Sequence, residues 1–170
     1  MQLKWYVLIT KPNWEKRVVQ GLSQYEIPNY YPEITRVNRN NVTIVEPLFT
    51  ANIFIKISLM QQSLLKGIPG IVKFAYWLGR PAIVQEEEIE ALKDFLQKNA
   101  NVTTRRIPIN FQERRKLMKD LDKTKKPITL KKHTRSAQVI LPSIGYVLIP
   151  KRRKDLSADY ASNHNQPIHL

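Results

Sequence analysis

The chain has no cysteine, which excludes disulfide cross-links and thiolate zinc sites. Glycine is scarce, five residues in 170, and no phosphate-binding loop motif is spelled out. No apolar run approaches the roughly 20 residues that a membrane helix needs. Met1-Gln2-Leu3-Lys4-Trp5-Tyr6 has no apolar stretch followed by a small-residue cleavage site. The expectation is a soluble, cytoplasmic protein with no membrane partner. Signals for catalysis are missing too. His133, His164 and His169 have no acidic partners at metal-ligand spacing, and no nucleophile motif is present. Glu86-Glu87-Glu88 reads as a helix start, because negative charge is favourable at that end of the macrodipole. A binding protein is expected, not an enzyme, with no metal and no cofactor.

What the chain does have is positive charge. Lys and Arg number 28 against 14 Asp and Glu, giving +14 and a pI near 10.1, a balance that favours polyanionic partners, nucleic acid first. The charge is uneven: residues 1–100 carry twelve basic and nine acidic side chains, while residues 101–170 carry sixteen and five. A hydrophobic content of 42% is enough for a packed core.

Lys4-Trp5-Tyr6-Val7-Leu8-Ile9-Thr10 is aromatic and β-branched, too apolar for an edge strand exposed on both faces. Pro12 suits the first turn of a helix, in which Trp14, Val18, Leu22 and Tyr25 recur as an apolar stripe. Residues 29–37 and 42–45 flank the turn cluster Asn38-Arg39-Asn40-Asn41 and read as a hairpin with Arg36 and Arg39 near its tip. In residues 46–57, Ile53, Ile55 and Ile57 alternate with Asn52, Phe54 and Lys56, the pattern of a central strand. Leu48 and Phe49 precede it, between Pro47 and Thr50. They read either as core residues or as an exposed apolar lip.

Residues 61–66 form a short helix ended by Gly67, residues 71–77 a strand, and residues 78–82 a loop. The last helix of this half carries Ile89, Leu92, Phe95 and Leu96 on its apolar face. The order β-α-β-β-β-α-β-α predicts an α+β domain over 1–98, an antiparallel sheet with flanking helices. Residues 99–108 read as a linker. Asn110 through Lys126 read as a basic helix with Glu113 three residues after an Asn110 cap. Short strands follow at 128–130, 137–141 and 146–149 in a second domain, 109–152, and a polar tail, 153–170, reads as disordered.

Lys4-Trp5-Tyr6-Val7, Trp14-Glu15-Lys16-Arg17, Pro47-Leu48-Phe49, and Gly70-Ile71-Val72 through Trp77-Leu78-Gly79-Arg80-Pro81-Ala82 resemble the NusG family in order and spacing. With Glu86-Glu87-Glu88-Ile89-Glu90-Ala91-Leu92 they most resemble its specialised, RfaH-related paralogues, the UpxY-like antiterminators of capsular polysaccharide operons. Leu141-Pro142-Ser143-Ile144-Gly145-Tyr146-Val147 is similar to the end of their KOW domain. The resemblance implies a NusG N-terminal domain over 1–98, a linker, and a small SH3-like KOW barrel. It also implies binding to the clamp helices of RNA polymerase through a hydrophobic surface, with raised processivity.

On this chain that surface would comprise Leu48, Phe49, Asn52, Tyr6, Phe54 and Tyr76. The non-template DNA strand or nascent RNA would meet Lys11, Lys16, Arg17, Arg36, Arg39, Lys73, Trp77 and Arg80, and a ribosomal protein or Rho would meet the C-terminal domain of a monomer. Two departures stand out. Thr50-Ala51-Asn52 replaces a Pro and an aromatic, which points to a retuned clamp contact. Lys119-Asp120-Leu121 and Pro127 stand where the barrel has glycine turns, and Pro cannot take a positive φ, so that barrel is degenerate, rebuilt or partly helical.

Taken alone, each basic residue reads as a solvated charge and Trp14 as core, with Trp77 the better base-stacking candidate. The cluster Arg105-Arg106, Arg114-Arg115-Lys116, Lys123, Lys125-Lys126 and Lys131-Lys132 reads as a solubilising surface or a contact for RNA, DNA or an acidic partner. Two alternatives therefore stand beside the elongation-factor reading: a basic RNA-binding or ribosome-associated protein, and a paralogue that occupies polymerase without activating it.

Overall fold

A computed structural model describes residues 2–37, 40–130 and 138–150. In chain order the first elements are β1 (Lys4–Thr10), α1 (Glu15–Gln24), β2 (Asn29–Tyr30), β3 (Glu33–Val37), β4 (Thr43–Pro47) and β5 (Asn52–Ile57). A 3-10 helix (Leu59–Gly67) precedes β6 (Ile71–Phe74), β7 (Tyr76–Trp77), β8 (Arg80–Pro81), β9 (Ile83–Val84) and α2 (Glu86–Lys98). The remainder is β10 (Val102–Arg106), α3 (Phe111–Thr124), β11 (Ile128–Leu130), β12 (Gln138–Leu141) and β13 (Tyr146–Pro150). These elements fall into two units, one of residues 2–32 with 49–86, the other of residues 33–48 with the described residues from 87 on.

In the first unit β1 is the centre of an antiparallel sheet in the order β2-β5-β1-β6. It pairs with β5 along its whole length, and its other edge is shared by β6 and β9. That double pairing is why the β1 sequence is apolar on both faces. Tyr6 and Leu8 join Ile53, Ile55 and Ile57 on one face, which Val18 and Leu22 of α1 cover together with Ile27, Leu65 and Ile68. The expected α1 stripe holds at Val18 and Leu22 but not at Tyr25, which is 45% exposed. The helix stops before Tyr25: Glu26 turns left-handed (φ 53), and the N–H groups of Glu26 and Ile27 bond back to Ser23 and Leu22. This Schellman closure puts Ile27 in the core instead.

The second unit holds the β3–β4 hairpin and an antiparallel sheet in the order β10-β13-β12-β11. Its first strand, Val102–Arg106, pairs with Tyr146–Pro150, so the stretch expected as a linker carries a strand. The expected basic helix is α3. Asn110 accepts from the Glu113 N–H, Glu113 returns a bond to the Asn110 N–H, and Lys125 closes the other end at φ 51. Leu121 is fully buried, and the Lys119-Asp120-Leu121 segment lies inside this helix. The expected loop at 78–82 is a small hairpin, in which Leu78 (φ 50) and Gly79 (φ 73) form a two-residue turn of the I′ kind between β7 and β8. The expected tail, 153–170, lies outside the described residues.

Candidate binding surfaces

The knuckle before β5 is an interior feature. Leu48 and Phe49 are 2% and 3% exposed, Asn52 and Phe54 0%, and Tyr6 4%, which corrects the expectation of an exposed lip. The cause is local. Ala51 sits in the left-handed region (φ 57) and reverses the chain, so that the Phe49 ring meets Phe54 edge-on at 5.9 Å. Two bonds pin the reversal: the Ala51 N–H donates to Glu15 Oε1 at 2.8 Å, and its carbonyl accepts from the Thr10 N–H at 2.9 Å. Glu15 is itself buried in the first turn of α1. The Asn52 amide donates to the Thr50 carbonyl, so this side chain acts inside the fold. Of the six residues expected to meet polymerase, Tyr76 is exposed (46%), and Leu78 beside it on the β7–β8 hairpin is 69% exposed.

Two of the expected nucleic-acid residues meet over one ring. Lys11 Nζ lies 5.4 Å and the Arg17 guanidinium 5.1 Å from the ring centre of Trp14, within cation–π range. The ring is held from below by Gly70 (φ 94), where a Cβ would lie 2.8 Å from Trp14 Cε3, and the Gly70 carbonyl accepts from the Lys11 N–H at 2.8 Å. Lys73 follows on β6, opposite Ile9, and Lys16 and Arg17 are exposed on α1. Arg80 and the half-buried Trp77 face each other across the β7–β8 hairpin. Arg36 pairs with Glu46 within the β3–β4 hairpin. Arg39 lies outside the described residues, as do Lys131, Lys132 and the three histidines.

One polar centre has no sequence signal. Glu86 and Glu87 behave as surface acids, paired with Lys56 at 2.6 Å and Lys125 at 3.2 Å. Glu88 is buried, 2% exposed, and its carboxylate accepts from the Ser143 N–H at 2.8 Å and from the Ser143 hydroxyl. Arg114, also buried, faces the same charge: desolvation lowers its pKa and Glu88 raises it. Arg114 thus leaves the exposed basic cluster in which the sequence placed it. Among the described residues no group of His, Asp or Glu side chains converges on a metal position.

The profile of the family described as "Transcription termination factor nusG" matches residues 3–93. The chain belongs to the NusG family. A solved structure of Thermotoga maritima NusG, concerned with domain interaction, is 16% identical over 54% of this chain and 56% of that one, with a TM-score of 0.37. The match therefore spans little more than half of that protein. No curated protein matches the chain. The NusG match runs from β1 into α2, and the sheet and helix from Val102 onward lie beyond it. No described helix is long and apolar enough to cross a membrane.

Proposed function

We propose that this NusG-family chain is a transcription elongation and antitermination factor that binds the clamp helices of RNA polymerase and raises its processivity. The observation that carries the reading is the family match over residues 3–93. Its finer branch is that of the operon-specific, UpxY-like antiterminators of capsular polysaccharide operons, on the run from Trp77 to Ala82 and from Glu86 to Leu92. The protein acts by binding, and the chemistry occurs in the polymerase. Residues 1–98 form the polymerase-binding domain. Residues 109–152 form a degenerate KOW domain, in which a helix stands where the family has a turn, and which recruits a ribosomal protein or Rho.

Tyr76 and Leu78 are the outward members of the polymerase surface, since exposed aromatic and aliphatic anchors supply most docking energy. Tyr6, Leu48, Phe49, Asn52 and Phe54 are interior residues. Lys11, Lys16, Arg17, Lys73 and Arg80 supply phosphate contacts to the non-template strand, which position without selecting sequence. The test is polymerase pull-down and read-through of a terminator in vitro. Wild type is expected to co-purify with polymerase and increase read-through, and Tyr76→Ala with Leu78→Ala to lose both while remaining folded. Equal capture of wild type and the double variant overturns the surface assignment, and unchanged or decreased read-through overturns antitermination.

A further inference from the structure

We infer that the solvent face of α3 is a second nucleic-acid surface, which takes the phosphate backbone of a single strand independently of Lys11, Arg17 and the polymerase contact. At 3.6 residues per turn, Arg115, Lys119 and Lys123 stack four apart on one stripe with Lys116 at its side. The four occupy an arc of about 100° and a length of about 12 Å. All four are exposed, and none has a carboxylate partner among the described residues. The opposite face of the helix is the buried one, carrying Arg114 and Leu121.

Two acidic residues of α3, Asp120 and Asp122, flank the stripe on either side. Glu113 is committed to the capping box, Asp122 is held by Lys125 at 2.8 Å, and Asp120 projects beyond the flank of Lys116. Like charges four residues apart repel one another weakly, and an anion along the stripe relieves that repulsion. Phe111, 46% exposed, stands one turn before Arg115, where an aromatic ring beside a basic track suits a base next to its phosphate. The apolar side of α3 is taken up within the protein, which removes the means by which a basic amphipathic helix enters a membrane surface. Among the basic residues of this half, the geometry separates Arg115, Lys116, Lys119 and Lys123 from Arg114, which is buried facing Glu88, and from Lys125, which pairs at the surface with Glu87 and Asp122.

The test uses the full chain and fluorescence anisotropy with a 30-nucleotide single-stranded RNA, the same sequence as DNA, and poly-glutamate, over a salt series. Wild type is expected to bind the nucleic acids, and Arg115→Gln/Lys119→Gln/Lys123→Gln to bind at least tenfold more weakly at about 0.1 M salt. Its log K against log salt should be shallower by about 2, as three lost single-strand contacts require. Preference for RNA assigns the face to the transcript, and equal binding assigns it to the backbone alone. Arg115→Lys/Lys119→Arg/Lys123→Arg keeps the charge and should keep binding, and both variants should melt with wild type and still capture polymerase. An unchanged affinity and salt slope in the glutamine variant overturns the inference. So does poly-glutamate binding as tight as RNA, or a charge-preserving variant as weak as the neutral one.

Discussion

Ser143 gives both its backbone N–H, at 2.8 Å, and its hydroxyl to the carboxylate of Glu88, 55 positions earlier in the chain. This ties the turn between β12 and β13 to the first turn of α2. The carboxylate is shielded from water, and the Arg114 guanidinium supplies the opposing charge. A buried charge held by two donors and a cation is far costlier to break than to keep, because each orphaned group retains its desolvation penalty.

Glu88→Ala is therefore expected to destabilise the protein by about 3–5 kcal/mol, and Glu88→Gln by less, because its carbonyl oxygen still accepts from Ser143. Urea unfolding followed by circular dichroism checks the order. Equal losses for the two variants would show that shape, and not hydrogen bonding, is what Glu88 contributes.

Ala51 takes a left-handed φ of 57°, a region that costs a residue with a Cβ roughly 1 kcal/mol or more. Ala51→Gly relieves that strain without touching the bonds to Glu15 and Thr10, although glycine loses more entropy on folding. A net gain of about 0.5–1 kcal/mol in thermal unfolding is expected. Ala51→Val, β-branched in the same region, should lose stability and release Phe49 from Phe54, read as altered near-ultraviolet dichroism.

Much of this fold is visible in the residues. The alternation of Ile53, Ile55 and Ile57 puts them on the core face, and Asn110 with Glu113 marks the start of α3. Both signals are local. Burial of Leu48 and Phe49 is not local, since it follows from a left-handed alanine tied to a carboxylate 36 positions away. The strand at Val102–Arg106 is polar along most of its length, and only its pairing with β13 makes it a strand. The β7–β8 hairpin is hidden because Leu78, not Asn or Asp, takes the first positive φ of its turn. Glu88 looks like its neighbours Glu86 and Glu87 until Ser143 is placed beside it.

Burial pushes the Tyr30 phenol up to about 12, against about 10 for a free tyrosine. The folded state thus favours the protonated ring, and the unfolded chain ionises first. The stability linked to Tyr30 is fully present below pH 10 and is lost as pH rises from about 10 to about 12. Tyr6 and Tyr146 shift in the same direction, also through desolvation. Tyr30→Phe, which leaves the ring contact with Phe54 at 6.4 Å available, should flatten the alkaline fall in unfolding free energy. Phenolate absorbance should show one fewer late-titrating tyrosine, and an unchanged alkaline limb would exclude Tyr30 as its source.

Gly70 decides where the Trp14 ring can lie. Its φ of 94° is hostile to any residue with a Cβ, and that Cβ would come within 2.8 Å of Trp14 Cε3 and 3.1 Å of Val18 Cγ2. Gly70→Ala therefore strains the backbone and also pushes the ring away from the core. The expected loss is roughly 2 kcal/mol, within the range for strain at a special φ. Because Lys11 and Arg17 both lie over that ring, its displacement separates the two cations that the site brings together. Tryptophan emission should shift to the red, and single-stranded DNA should bind more weakly with the salt slope of log K nearly kept, since no charge is removed. Arg17→Gln should do the reverse, keeping the emission maximum and lowering the slope. If the two variants change binding in the same way, Trp14 is not what positions the cations.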